Sequence, residues 1–381
     1  MKQSVRLGRV DGITVGAHWS VAVILVIIAQ VLAVSVLPAA RPHERAALYW
    51  TVAVIAALLF LASLLAHELA HALVARRSGV AVRSITLWML GGVTDMEEEP
   101  PTAGADFRIA LAGPAASLAA GAIFYGIGAV VHFAGGPAIV VAAAVWLAVM
   151  NGILAVFNLL PGAPLDGGRV LRAVLWRRFG DREKAEREAG RAGQVLGAVM
   201  VAFGIAEAFT YRYANAFFDG LWLVLIGWFL IIAAASETQA SAARTALARV
   251  RVGDVMTPHP ELVFGSNSVA EFSNEAARTG QRAFPVIGST GELTGIVLTS
   301  QLDDIPGSEK DSRPLDQISL PVPPAYRAAP GDPAAPLISR TPLGDEVSAV
   351  VLDHGRVIGT VTVSDLQHAV LRRQRLTTTR R

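Results

Sequence analysis

His67-Glu68-Leu69-Ala70-His71 sets two imidazoles four residues apart with a carboxylate next to the first. On a helix, residues i and i+4 share a face. His67 and His71 can therefore hold one zinc ion together, with Glu68 beside it as a general base for water. The chain has no Cys, so disulfides are excluded and any further ligand must be His, Asp or Glu. A catalytic zinc takes three protein ligands and keeps one position for water. The candidate third ligand is Asp166, in Asn158-Leu-Leu-Pro161-Gly-Ala-Pro164-Leu-Asp166-Gly-Gly168. Pro161 and Pro164 break a helix there, and the glycines permit tight turns. Taken alone, Asp166 also reads as a helix-capping loop residue.

The element that must position the histidines is an apolar run over 48–74, long enough to cross a bilayer. A charged side chain at the centre of such a helix costs ~2.5–3.5 kcal/mol on insertion scales, so it marks function. Glu68 has no nearby Lys or Arg in its own run to pair with. Further apolar runs cover 18–38, 107–133, 138–160, 193–209 and 221–235; the last two are shorter, and Glu207 interrupts the fifth. The spacing predicts about six transmembrane helices. Irregular backbone at membrane depth is tolerated only where protein buries it or a wet cavity meets it, which places the Asp166 segment beside a cavity.

Composition agrees. Hydrophobic residues make up 53% of the 381 residues and mean hydropathy is +0.47, too apolar for an ordinary soluble chain. A net charge of +2 gives no electrostatic support for a nucleic-acid partner. No small-residue cleavage site follows the first run, so a cleavable signal peptide is not expected. Basic residues gather before the first run (Lys2, Arg6, Arg9), after the second (Arg76, Arg77, Arg83) and after the fourth (Arg169 to Arg187), while the opposite connections hold only Arg41, Arg45 and Arg212. By the positive-inside rule the N-terminus is cytoplasmic, and with six spans so is the C-terminal part.

Smaller features attach to this frame. Residues 83–90 predict a strand and 93–96 its return, an edge at the membrane surface able to hold an unwound peptide by β-addition; an ordinary surface hairpin has the same pattern. Glu97-Glu98-Glu99 reads as a solvated loop. Gly113-Pro114 inside the third span reads as a close-packing and kink site. His18, His43, His132, His259, His354 and His368 carry no assigned chemistry.

After residue 235 the character changes. Residues 236–249 read as an Ala-rich linker. Beyond it, short Val/Ile-rich strands alternate with Ala-rich helical pieces, an α/β pattern. The segments 284–300 and 348–364 align, 64 residues apart, each as strand, Gly turn, strand and a Ser before a helix. The expected division is a membrane domain 1–235, a linker 236–249, repeats 250–305 and 316–372, and a basic tail 373–381.

The first 235 residues resemble the site-2 protease family of intramembrane zinc metalloproteases. The resemblance rests on His67-Glu68-x-x-His71, on Asn158-x-x-Pro161-x-x-x-Leu165-Asp166-Gly167, on Gly113-Pro114 and on the Gly91-Gly92 segment. It implies His67, His71 and Asp166 as ligands of one Zn2+ per chain and Glu68 as the base. It also implies that Asn158 positions substrate or stabilises an oxyanion. The substrate would be the transmembrane segment of a membrane-anchored regulator, such as an anti-sigma factor, cut within or near the bilayer. The two repeats resemble a pair of CBS domains, giving a polytopic α-helical membrane protein followed by a cytoplasmic α/β CBS-domain pair. That family binds adenine nucleotides through a turn opening its last helix; here Gly359, Thr362, Ser364 and Asp365 keep the pattern, whereas Leu298 and Gln301 replace its Thr and Asp in the first repeat. Helix capping alone also explains Thr362 to Asp365. A nucleotide or dimerisation through the CBS pair would regulate cleavage. The rival readings are a membrane transporter and a catalytically silent scaffold, each carrying a CBS module; both leave Glu68 without purpose.

Overall fold

The computed structural model describes residues 4–378 apart from residues 90, 97–98, 211–215, 249, 303–304, 339 and 345. Leu90, Glu97, Glu98, Arg212 and the last three residues of the basic tail therefore lie outside the described residues. The chain divides into two compact units, Met1–Thr238 and Gln239–Arg381.

The first unit opens with strands β1 (Val5–Val10) and β2 (Ile13–Ala17). Helix α1 follows over Ser20–Ala40, its regular hydrogen bonding interrupted by a π-helical stretch at Leu32–Val36. Then come α2 (Ala46–Arg77), β3 (Val82–Trp88), β4 (Gly91–Met96), α3 (Ala103–Phe133), α4 (Ala138–Asn158), α5 (Asp166–Phe179), α6 (Arg182–Thr210) and α7 (Ala216–Leu247). Six of these helices are long and apolar enough to cross a membrane, α5 not among them. The four strands form one sheet in the order β1-β2-β3-β4, with β2 and β3 parallel and the other neighbours antiparallel.

Helix α2 shows how sequence becomes position. Tyr49, Ala53, Ala56, Ser63, His67 and His71 form its buried stripe, at the three-to-four spacing of one helix face. Ala is small enough there for neighbouring helices to approach closely. Leu65, Leu69 and Ala72, on another side of the same turns, pack on Ile13 and Ile85 of the sheet. The helix stops in a Schellman motif: Gly79 takes the left-handed conformation, its N–H donates to the Arg76 carbonyl, and Val80 N–H donates to Ala75. That stop turns the chain into β3.

Thr102 caps α3, its hydroxyl oxygen accepting from Ala105 N–H at 3.1 Å. One face of α3, running through Asp106, Ile109, Gly113, Ser117 and Gly121, is buried. After α4 the segment 159–165 folds back, with Ala163 N–H donating to the Ala189 carbonyl of α6 at 3.2 Å and Leu165 N–H donating to Gly162.

Two findings adjust the sequence reading. The sequence shows the first strands only as a basic flank of the first span; in the fold they complete the sheet beside α2. The basic residues 182–187, read as a connection, belong to the same continuous helix as the fifth span, because an uninterrupted helical backbone satisfies its own hydrogen bonds across the membrane boundary.

The second unit carries α8 (Val252–Val255), β5 (Thr257–Pro258), β6 (Val263–Phe264), α9 (Val269–Thr279), β7 (Ala283–Ile287), β8 (Leu293–Leu298), β9 (Arg327–Ala328), α10 (Ala335–Ile338), β10 (Val347–Asp353), β11 (Arg356–Thr362) and α11 (Val363–Thr378). The sheet β6-β7-β8 encloses Phe272, Phe284, Val286, Val297 and Leu315 with α9. The sheet β5-β11-β10-β9 encloses Val252, Leu337, Ala349, Val351, Val361 and Leu366. Ala283, Ile296, Leu298, Val322, Val347 and Val350 join the two halves. The first half ends in a short 3₁₀ turn, Thr299–Leu302, where the second carries the long helix α11.

Candidate metal centre

His67 and His71 lie on consecutive turns of α2 and face α3, both almost fully buried. Asp166 begins α5 and is brought to them by the fold-back of 159–165. The His67 and His71 Nε2 atoms are 3.1 Å apart, and each lies 3.2 Å from Asp166 Oδ2. Among the described residues these three form the group whose donor atoms all fall within 4.8 Å of one another.

The donor set fits zinc. Ligand atoms ~2.0–2.2 Å from a common tetrahedral centre lie ~3.3 Å from one another, close to the spacing seen. Each Nε2 points inward while its Nδ1 is engaged outside. His71 Nδ1 donates to the Ile109 carbonyl at 2.6 Å, and His67 Nδ1 lies 2.9 Å from Ser117 Oγ. A carbonyl can only accept, so the His71 proton sits on Nδ1 and Nε2 is free to ligate. Room for this comes from Gly113, where a Cβ would overlap both imidazoles. The Gly113-Pro114 pair, read as a packing site, thus makes space for the cluster.

Glu68 points toward the hairpin, where its Oε2 accepts from Thr94 Oγ1 of β4 at 3.0 Å. A Cβ at Gly92 would overlap the Glu68 side chain, so the glycine lets the strand pass close to it. Asn158 is the last residue of α4 and half-buried; it stands at the start of the fold-back that ends in Asp166.

A buried charge network ties α5 to α3. Asp106 is fully buried and accepts two hydrogen bonds from Arg172, Nε at 2.9 Å and Nη2 at 2.8 Å. Arg169 lies 3.5 Å from the same carboxylate and Glu186 of α6 lies 3.5 Å from Arg172. Burial pushes the Arg172 guanidinium down, but hydrogen bonds and charge from Asp106, with Glu186 and Glu237 adding, raise it further. Arg169 and Arg172, counted in the sequence as flanking charges, are also partners of Asp106. Spacing could not reveal this, because Asp106 is 66 residues away. The same holds for Ser117 and Thr94, which sequence reasoning missed.

In the second unit Thr362, Ser364 and Asp365 come together at the start of α11, while Gly359 lies earlier, within β11, paired with Val351 and Pro258. Asp365 Oδ2 accepts from Thr362 N–H at 2.9 Å and from Thr362 Oγ1–H at 2.7 Å, and Asp365 N–H donates to Thr362 Oγ1. Thr257 Oγ1 donates to Asp365 Oδ1 at 3.2 Å, and Ser364 Oγ is 2.8 Å from Thr362 Oγ1. In the first half, Gln301 Oε1 accepts from Leu298 N–H at 2.8 Å, a side chain closing the turn as Asp365 does.

Comparison with known proteins places these features. Residues 55–138 and 136–203 match peptidase family M50, and residues 252–302 match the CBS domain. Rip3 of Mycobacterium tuberculosis, named as a zinc metalloprotease, is 43% identical over 373 residues, covering 97% of this chain and 93% of its own. The protein sll0528 of Synechocystis, also named as a zinc metalloprotease, is 34% identical over 271 residues, covering 71% of this chain and 70% of its own. Among solved structures, the site-2 protease from Methanocaldococcus jannaschii is similar at TM-score 0.41 and 28% identity, covering 61% of this chain and 94% of that one. The chain belongs to peptidase family M50, the site-2-protease type of zinc metalloprotease, built as a multi-pass membrane unit followed by an α/β CBS module.

Proposed function

We propose that this protein cuts a peptide bond within or near the transmembrane segment of a membrane-anchored protein, using His67, His71 and Asp166 to hold one zinc ion and Glu68 as the base. The observation that carries the reading is the convergence of two buried imidazole nitrogens from α2 and a partly buried carboxylate oxygen from α5, beside Glu68 on a membrane-length helix. A bound zinc supplies Lewis acidity toward the scissile carbonyl and makes water a nucleophile near neutral pH. Thr94 holds Glu68 Oε2, which leaves Oε1 to take the proton from the attacking water and return it to the leaving amine nitrogen. Asn158, at the mouth of the fold-back, orients the substrate or stabilises the developing oxyanion. The substrates are single-span regulators of the anti-sigma-factor kind.

The N-terminus and CBS module are cytoplasmic on the balance of flanking charges. The module regulates cleavage by binding an adenine nucleotide at Gly359, Thr362, Ser364 and Asp365, or through a homodimer. Thr257, from the start of the first repeat, reaches Asp365 of the second, which supports a site shared by both repeats.

The test uses purified, detergent-solubilised full-length protein with a single-span test substrate. Wild type and Glu68→Gln should each hold about one zinc per chain, and only wild type should cut. Cleavage by Glu68→Gln at the wild-type rate would remove Glu68 as the base; a wild type holding no metal would remove the whole reading.

A further inference from the structure

We infer that Ser117 is a positioning residue for His67: its hydroxyl oxygen accepts a hydrogen bond from Nδ1–H and so favours the tautomer whose Nε2 is bare and aimed at the metal position. The inference rests on the zinc site proposed above. A neutral imidazole carries one N–H, and whichever nitrogen holds it cannot ligate. What the outer nitrogen touches therefore decides which tautomer exists. For His71 the partner is the Ile109 carbonyl, a backbone group that no substitution removes. For His67 it is a side chain, Ser117 Oγ, 2.9 Å from Nδ1.

Ser117 is fully buried and lies eight residues beyond Ile109 and four beyond Gly113 on the buried face of α3. One face of one helix thus offers, in succession, an acceptor for His71, space for both rings and an acceptor for His67. A serine inside a helix commonly turns its hydroxyl back to the carbonyl one turn earlier. Here the hydroxyl meets an imidazole 50 residues away in the chain. Without it, the buried Nδ1–H loses this acceptor and the tautomer protonated at Nε2 competes; that tautomer presents no lone pair to the metal position.

Ser117→Ala removes the acceptor and little volume. The experiment strips the full-length, detergent-solubilised protein of metal and measures zinc affinity against a competing chelator, together with the visible absorption of the cobalt(II)-loaded form and the melting temperature of the metal-free form. The expected result is a zinc affinity about 10–100-fold weaker than wild type, a shifted cobalt band and an unchanged metal-free melting temperature. An affinity equal to wild type overturns the inference. So does a loss of affinity that comes with a matching loss of metal-free stability, since Ser117 would then serve packing only. If wild type holds zinc and the variant holds it equally well, this inference fails alone. If wild type holds none, the proposed zinc site fails with it.

Discussion

Two clusters of polar side chains in this molecule look alike on paper and differ in how their atoms are used. At the start of α11, the Asp365 carboxylate accepts from Thr362 and Thr257, so its oxygens already have partners from the chain. That arrangement caps a helix whether or not a ligand ever arrives. In the membrane unit, the inward atoms of His67, His71 and Asp166 face one another at 3.1–3.2 Å, while the outward nitrogens of both histidines are engaged by α3. His71 Nε2 is bare among them, because its ring proton goes to the Ile109 carbonyl. The donors converge on a point that wants a cation. A pattern of suitable residue types is thus weak until it is known which atoms are left over.

Removing one inward donor should have the largest effect. Asp166→Asn is expected to abolish stoichiometric zinc and, because a metal supplies several kcal/mol of transition-state stabilisation, to lower cleavage by ~10³-fold or more. Metal analysis and cleavage of a single-span substrate read both. Asp365→Asn should leave zinc content at the wild-type level, and a loss of zinc there would erase the contrast.

Next comes the network behind the site. Asp106→Asn takes the carboxylate charge away from Arg172 and Arg169 and leaves Glu186, 3.5 Å away, as the acidic partner still facing Arg172; breaking a buried pair in this way costs up to about 3–5 kcal/mol, and thermal unfolding in detergent should report it. Replacing both partners with apolar residues, Asp106→Leu with Arg172→Met, should recover most of that loss. Failure to recover would show that the pair does more than hold α3 against α5.

Thr94→Val should act on rate and not on metal. Its hydrogen bond to the Glu68 carboxylate is of the kind worth about 1.5–3 kcal/mol, so cleavage should fall at least ~10-fold with about one zinc still bound. A drop in zinc content would place Thr94 with the ligands instead of with the base.

The smallest effect is expected at the cap. Asp365→Ala should destabilise the CBS module by about 0.5–2 kcal/mol, seen as an earlier unfolding step in the full chain. Calorimetric titration with ATP sharpens the comparison: binding by wild type that disappears in this variant means that capping is not the only use of the carboxylate.

Much of this was legible in the sequence because the relevant physics is local. The i, i+4 spacing of His67 and His71 requires only a helix, and the six spans and the strand–turn–strand repeats require only hydrophobic periodicity. The sheet was half legible: 83–96 announces a hairpin, whereas β1 and β2 are short, and β1 is exposed along its whole length, so its pattern carries no buried face to read. That Arg169 and Arg172 also pair with Asp106 was not legible, because a charge near a span end has the same appearance whether water or a buried carboxylate faces it.

By itself the sequence determined the metal-ligand chemistry available, since a chain without Cys leaves only His and carboxylates, and it determined the membrane setting, since apolar length is a one-dimensional property. Only the tertiary structure decided that α3 is the helix which orders the centre. Ile109, Gly113 and Ser117 are an unremarkable spacing along one chain segment. They acquire meaning when α2 packs against them, because hydrogen bonds act over about 3 Å and the partners lie 38 to 50 residues apart in the chain.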